Sequence, residues 1–544
     1  MDAPKTGSGQ DSGILAAAIR VVSGLTLLSR FSGLARDLIT ARLFGDGLLG
    51  SAFRAAYAAP NLFRRLFGEG ALSAAFIPEY TRGITTDRST ADALASMVIA
   101  WLTLVTSAIV VVIEIALIAV ILAAPDPERT LSLQLMLIML PMMPMVCLTA
   151  ILGGMLQAHG RFGPPAAAPI LLNLFQVGAA GACWMMDVDR GLAAYITGGS
   201  AVLASVAQIV WSLHALRGRI SWTRAWSGAS QSAKTVLGRF LPVVIGLGTL
   251  QLNTMLDTLI AMWPTWIGPT MFGRPTPLDE SSNAILSYTQ TLYQFPLGVF
   301  GLAVATAVFP MLSRVADDRD AFTGVIRKGL RLSFFIGAPA SIGLFAVRDD
   351  ICHVLFGGKY GGFDPQNITR CADTLSGFAL AVWAYSLNHV FTRAFYARGD
   401  TKTPMQLAMG MVALNLTLNM TLIWSFKESG MAYATGVSAV VQCVILGVLC
   451  RRKLEIRSFD AETARAFVRM MACGITMFAG IELTDRFMGV ANTWFSHMVA
   501  LVTKVVVGAG CYGALCLILK TPEIKWLFEK APRGSGTTNT MSFE

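Results

Sequence analysis

The sequence predicts an all-α polytopic membrane protein of about fourteen transmembrane helices. It expects two six-helix lobes related by a pseudo-two-fold axis and two extra C-terminal helices. Three observations carry this expectation. First, 54% of the 544 residues are apolar and only 14% are charged, against about 25% charged in a soluble domain. A soluble chain of that composition would expose large apolar patches and aggregate, which excludes a soluble enzyme, a disordered scaffold and a secreted disulfide module. Second, the apolar residues fall into runs of the ~20 residues that span a hydrocarbon core about 30 Å thick. Third, two short motifs recur six runs apart.

The runs lie at about 14–44, 48–82, 92–124, 130–157, 165–186, 191–216 and 233–264, then 283–313, 324–347, 371–397, 404–426, 430–450, 462–484 and 494–519. No loop between them is long enough for a soluble domain. The first run is too long for a cleavable signal peptide, and Arg30 interrupts it. Residues 1–13 and 520–544 read as polar tails. The net charge of +10 is unevenly spread. With the N-terminus inside, the cytoplasmic connections collect Arg217, Arg219, Arg224, Arg327, Lys328, Arg331, Arg451, Arg452, Lys453 and Arg457. The other side keeps Arg129, Arg190, Arg274, Arg348, Lys359, Arg370, Lys427 and Arg486. This bias places both termini in the cytoplasm and gives the basic excess a topological reading, with no nucleic-acid partner. The five histidines are scattered and the nine cysteines form no CxxC, so neither a zinc site nor a redox motif is expected. Cys352 and Cys371 flank one loop; a disulfide between them is open only in an oxidising compartment and is the less favoured reading.

The repeat sets the lobes. Ala158-His-Gly160 followed by Pro165 joins the fourth and fifth runs, and Ala397-Arg-Gly399 followed by Pro404 joins the tenth and eleventh. Phe76-Ile-Pro78 ends the second run and Val308-Phe-Pro310 ends the eighth. An offset of six spans keeps the halves in the same orientation, so they form lobes 14–216 and 233–452, with 462–519 outside the repeat. Carriers built this way bind at the interface between halves and rock about it.

Charges inside the first two runs locate a site. Arg30, Arg36, Arg54, Arg64 and Arg65 lie there with Asp37 and Glu69. At about 2.5–3.5 kcal/mol each near the bilayer centre, five lipid-facing arginines would cost roughly 12–18 kcal/mol, comparable to the stability of a whole fold. They must face water, each other or an anion. Ser29 and Arg36, like Arg30 and Asp37, are seven residues apart and share a helix face. The planar guanidinium suits bidentate phosphate binding, which points to a phosphate-bearing cargo. For Arg65 and Glu69, an interfacial salt-bridge cluster at a helix end is the plainer alternative. A second polar set comprises Asp257, Asn415, Asn419 and Thr435. Oxygen ligands around one carboxylate suit a hard monovalent cation or a proton relay; equally, Asp257 and the asparagines serve as hydrogen-bonded glue between helices.

Four segments carry a family resemblance: Ser29-Arg-Phe-Ser-Gly-Leu-Ala-Arg-Asp37, Pro60-Asn-Leu-Phe-Arg-Arg-Leu-Phe-Gly-Glu-Gly-Ala71, Ala75-Phe-Ile-Pro-Glu-Tyr80 and Phe395-Tyr-Ala-Arg-Gly-Asp-Thr-Lys-Thr-Pro404. With them the chain resembles, over essentially all fourteen runs, the MurJ (MviN) lipid II flippases of the multidrug/oligosaccharidyl-lipid/polysaccharide exporter superfamily. The resemblance implies an inward-open, V-shaped pair of lobes in the bacterial cytoplasmic membrane, with the two extra helices forming a groove for the lipid tail. It implies alternating-access transport of the undecaprenyl-pyrophosphate-linked peptidoglycan precursor, without cofactor or catalysis. It matches Arg30, Arg36 and Arg64 to essential cavity arginines, and Asp37, Arg65 and Glu69 to neighbouring charged positions. It also implies a sodium site at Asp257, Asn415, Asn419 and Thr435, to which Met431 adds a backbone carbonyl.

The chain departs from the family where Ser51, Ala58 and Thr291 replace usual charges, and where Gln290 and Gln294 replace acidic partners. Asn419 stands where some members have aspartate. Arg54, usually apolar in the family, is expected to compensate for Thr291 from the opposite lobe. The departures keep a flippase for another polyprenyl-linked glycan, or a drug/cation antiporter, as alternatives. No GxxxxGK[ST] is present for direct ATP use. The only close acid pairs, Asp317-Asp318 and Asp349-Asp350, are weak support for a membrane enzyme.

Overall fold

The computed structural model describes residues 8–64, 71–123, 125–358, 362–489, 491 and 493–528. Arg65 and Glu69 lie outside them. The first half comprises α1 (Ser8–Phe44), α2 (Leu48–Phe63), α3 (Ala71–Thr86), α4 (Arg88–Ala123), α5 (Pro127–Met139), α6 (Met142–Ala158), α7 (Gly163–Met185) and α8 (Arg190–Leu216). The second comprises α9 (Ser230–Ala261), α10 (Trp263–Trp266), the hairpin β1 (Thr270–Met271) and β2 (Arg274–Pro275), α11 (Ser282–Pro296), α12 (Leu302–Arg314), α13 (Arg319–Ala346), α14 (Arg348–Phe356), α15 (Pro365–Ala379), α16 (Val382–Ala397) and α17 (Lys402–Lys453). Then follow α18 (Ala461–Met488), α19 (Trp494–Ile518) and the short α20 (Pro522–Phe528). Among the described residues nine helices are long and apolar enough to cross a membrane. Among the described residues the expected runs fall on helical segments, several of them broken.

Helix ends follow local chemistry. Carboxylates of Asp126, Asp189, Asp318, Asp364 and Asp460 accept backbone N–H bonds at the starts of α5, α8, α13, α15 and α18. They satisfy donors that a helix start leaves orphaned. Pro127 and Pro365 follow their caps at the first helical position, where no N–H is needed. Thr493 and Ser496 cap α19 reciprocally. Of the Asp317-Asp318 pair, Asp318 is thereby accounted for as a helix cap. The eleventh and twelfth runs meet within α17 at Lys427, whose φ of 51° and ψ of −136° reverse the chain.

The repeat reappears as matched turns. Gly160 and Gly399 both adopt left-handed φ, at 73° and 76°. Arg161 N donates to Leu156 O at 2.8 Å, and Asp400 N to Phe395 O at 3.0 Å. The same helix ending therefore follows α6 and α16.

The two lobes, α1–α8 and α9–α17, touch at both ends. At one end Asn283 Nδ2 donates to Ser51 O (2.8 Å) and Ala284 N to Ser51 Oγ (2.9 Å). Asp364 N donates to Asp46 Oδ2 (2.9 Å). Gly362 lies so close to the Ala41 and Arg42 carbonyls that any Cβ would overlap them. Nearby, Arg370 forms paired bonds to Glu428 and Asp279. Burial would raise the Asp279 carboxyl, but the Arg370 bonds and charge hold it below its usual value. Ser51→Ala should leave the buried Ala284 N–H unpaired and weaken this closure by about 1–3 kcal/mol. Faster labelling of an Ala55→Cys thiol by an impermeant reagent would report it; an unchanged rate would show that the contact restrains nothing.

The opposite end is apolar. Ala229 and Val236, at the start of α9, share a buried cluster with Phe76 and Tyr80 of α3, and Phe240 packs against it. The other end of α9 joins the second lobe, where Asn419 Nδ2 donates to Asp257. The expected inward-open V is corrected accordingly: α9 reaches across, and the lobes are in contact at this end too.

Helices α18 and α19 dock on the second lobe. Lys504, only 4% exposed, donates to Asp350 Oδ2 at 2.6 Å and to Asp485 Oδ1 at 2.7 Å. His497 Nδ1 lies 2.8 Å from Asp350 Oδ1. Both Asp350 oxygens are thus engaged in tying α19 to α14, while Asp349 is exposed beside Arg348. Arg331 joins α13 to Glu462 of α18 and to Glu523 of α20. Cys352 and Cys371 are both free and buried, in the apolar cluster of Tyr288, Phe356 and Phe378. The free, buried thiols agree with the favoured reading, in which the two do not pair.

Candidate cargo-binding cavity

A cavity of about 880 Å³ lies between the lobes, lined from one side by α1, α2, α5 and α7 and from the other by α9 and α11. Ser29, Arg30, Arg36, Asp37, Arg54 and Arg64 all line it. The seven-residue spacing that put Arg30 and Asp37 on one helix face indeed points both into this space.

Asp37 is the hub. Its Oδ1 accepts from Arg36 Nε (3.0 Å), Arg36 Nη2 (2.8 Å) and Arg54 Nη1 (2.9 Å), and its Oδ2 accepts from Thr291 Oγ1 (3.0 Å). Arg54 continues across the seam, with Nη2 donating to Ser287 O (3.1 Å) and Thr291 Oγ1 (3.4 Å). Its guanidinium lies over the Tyr288 ring, 4.7 Å from the centroid. Arg54 of the first lobe therefore sits against Thr291, the position whose lost charge it was expected to replace. Arg36 also donates to Tyr57 OH (2.9 Å) and Asn173 Oδ1 (3.1 Å), and Asn173 Nδ2 in turn bonds Ser29 O (3.2 Å). Arg64 is bound to Asn61 Oδ1 within its own turn. Arg30 has no hydrogen-bond acceptor among the described residues. Its guanidinium lies against Gly298, in a π-helical turn at Leu297–Gly301 between α11 and α12.

The lining charge is strongly one-sided. Four arginines face one aspartate, all from the first lobe. The second lobe contributes only neutral groups, including Gln251, Gln290, Thr291 and Gln294. Such a space holds an anion with several oxygens in preference to a cation.

The second polar set is a separate node, outside this cavity's lining. Asn419 Nδ2 donates to Asp257 Oδ1 (2.7 Å) and Asn415 Oδ1 (3.0 Å), and Asn415 Nδ2 to Thr435 Oγ1 (3.1 Å). Thr435 Oγ1 donates to Met431 O at 2.9 Å. The five predicted residues thus form one chain, with Asn253 as an unforeseen neighbour of Asp257. Among the described residues Asn419 Oδ1 is buried without a partner. That orphaned acceptor, beside a single carboxylate and further oxygens, fits a monovalent cation.

Sequence reasoning missed Tyr57 and Asn173, which orient Arg36, and the seam residues Ser287 and Gly298. Asn173 did carry a signal, as a lone amide inside an apolar run. The seam residues carry none until the two lobes are placed together.

An all-α membrane carrier, with two repeated lobes around an arginine-bearing cavity biased toward anions, is the class these features define. A model of the family described as "Lipid II flippase MurJ" matches residues 40–504. The chain belongs to that family. It is 32% identical over 448 residues to a probable lipid II flippase MurJ of Rhizobium tropici, covering 79% of this chain and 80% of that protein. It is 27% identical over 475 residues to the lipid II flippase MurJ of Burkholderia cenocepacia, covering 85% and 88%. A solved structure described as "Lipid II flippase MurJ, inward closed conformation" superposes with a TM-score of 0.76 at 21% identity, covering 92% of this chain and 99% of that one. An inward-facing multidrug transporter of the MATE family gives 0.61 at 12% identity, covering 80% and 94%. Both share the fold.

Proposed function

We propose that this protein is a lipid II flippase, moving undecaprenyl-pyrophosphate-linked muropeptide from the inner to the outer leaflet by alternating access. The arginine-lined cavity between the lobes is the observation that carries the reading. Arg30, Arg36, Arg54 and Arg64 hold the pyrophosphate, with Ser29 and Asp37 completing the site. The prenyl tail stays in lipid along the 462–519 helices, beside lobes 14–216 and 233–452. Both termini, and the apolar contact of α3 with α9, lie on the cytoplasmic side of the bacterial inner membrane. The role is transport for peptidoglycan and cell-wall synthesis, with no chemical step.

The test is rescue of lipid II export in flippase-depleted cells, with native mass spectrometry to identify the co-purifying lipid. Failure of well-expressed protein to rescue export would overturn the assignment. The neutral wall of the second lobe favours one second reading, a flippase for another polyprenyl-linked glycan. Co-purification of such a lipid in place of lipid II would select it.

Asp257, Asn415, Asn419, Thr435 and the Met431 carbonyl would hold a coupling sodium ion, supplying a charge whose gradient resets the empty carrier. Sodium is then expected to raise the unfolding temperature of the wild type and not of Asp257→Asn. Equal response of the two proteins would return the node to helix glue.

A further inference from the structure

The neutral second-lobe wall leaves the cargo's phosphates without a cation on that side. Two first-lobe arginines reach across the seam to it, and they arrive by different means. Arg54 is held by Ser287 O and Thr291 Oγ1, and its charge is shared with Asp37. Arg30 has no acceptor among the described residues. What leaves room for it is a missing side chain, because a Cβ at Gly298 would overlap Nη1 and lie 2.5 Å from Cζ and 3.0 Å from Nη2.

We propose that Gly298 is a positioning residue for cargo binding: the gap left by its missing side chain is a seat, across the lobe seam, for the Arg30 guanidinium. There Arg30 supplies the second-lobe side of the cavity with a charge that the lobe itself lacks. The ligand it meets is a polyprenyl pyrophosphate, so the inference rests on the function proposed above. Three features support the seat. Gly298 lies in the π-helical turn Leu297–Gly301, where the helix between α11 and α12 is locally widened. Phe31, one residue after Arg30, packs edge-on against Phe295 at 5.4 Å, which fixes the approach of α1 to this turn. Among the described residues, the atoms nearest a methyl at 298 all belong to the free end of this one flexible side chain. The cost of Gly298→Ala therefore falls on where Arg30 sits and leaves the fold intact.

This separates positioning from structure. Purified protein in nanodiscs is titrated with polyprenyl pyrophosphate, and unfolding temperature is measured in parallel. Gly298→Ala should weaken binding about tenfold at unchanged unfolding temperature, and should add nothing in an Arg30→Ala background. Arg30→Lys provides the second arm, since a slim ammonium reaches past a methyl without needing the seat. In that background Gly298→Ala should cost less than about twofold.

Wild-type affinity in Gly298→Ala would overturn the seat, as would equal losses in the wild-type and Arg30→Lys backgrounds or a fall in unfolding temperature that tracks the loss. A wild type that fails to bind the pyrophosphate lipid would instead sink the function reading and the seat with it. Loss on Arg30→Ala without loss on Gly298→Ala would sink the seat alone.

Discussion

Asp37→Ala is expected to cost about 3–5 kcal/mol of stability in the cargo-free protein, the range for removing one partner of a buried ion pair. The carboxylate is 6% exposed and gathers two guanidiniums and a hydroxyl from three helices. Without it Arg36 and Arg54 face each other with no counter-charge. Asp37→Asn, which keeps an acceptor and loses the charge, should fall between. Polyprenyl pyrophosphate supplies the missing anion, so it should raise the unfolding temperature of Asp37→Ala more than that of the wild type. Thermal unfolding with and without the lipid measures both effects. An Asp37→Ala protein that unfolds with the wild type would mean that this carboxylate does not hold the arginines together. Transport should be lost even where the lipid restores stability, because Asp37 also meets Thr291 across the seam.

Lys504→Met is the second large effect. Lys504 lies within α19, where an unpaired ammonium would be costly. Its bonds to Asp350 and Asp485 connect α19 to α14 and α18. Asp485 is half exposed and tolerates the loss, whereas Asp350 is 4% exposed and would keep only His497. A loss of about 3–5 kcal/mol is expected, together with faster hydrogen exchange in α18 and α19. Adding Asp350→Asn removes the stranded charge and should recover much of the loss. A double variant as unstable as Lys504→Met would show that the lysine contributes packing and not charge.

Much of the site was legible because the bilayer makes charge expensive. Arg30, Arg36, Asp37, Arg54 and Asp257 stand in runs where nothing charged is tolerated without purpose, and each proved to line the cavity or anchor the second polar node. Lys504 carries the same signal in the last apolar run, and its partner Asp350 stood in the sequence as half of an acid pair. Helical spacing placed residues on faces, and the recurring turns at Gly160 and Gly399 gave the lobe repeat. Which face of one lobe meets which face of the other is not a periodic property. The bonds of Ser51 to Asn283 and Ala284, the reach of Arg54 to Ser287 and the proximity of Gly298 to Arg30 all depend on that docking. The break between α15 and α16 was equally silent, since the apolar run continues through it, whereas Pro141 marks the one between α5 and α6.

The two seam contacts differ in kind, and this gives the carrier a thermometer. One end closes through hydrogen bonds around Ser51 and Asp46. The other closes through apolar contact of Phe76 and Tyr80 with the start of α9. Parting the apolar end exposes hydrocarbon to water and so raises the heat capacity, while parting the hydrogen-bonded end is mainly a cost in enthalpy. Cooling weakens the apolar closure. The resting population should therefore drift toward opening at the α3–α9 end as temperature falls.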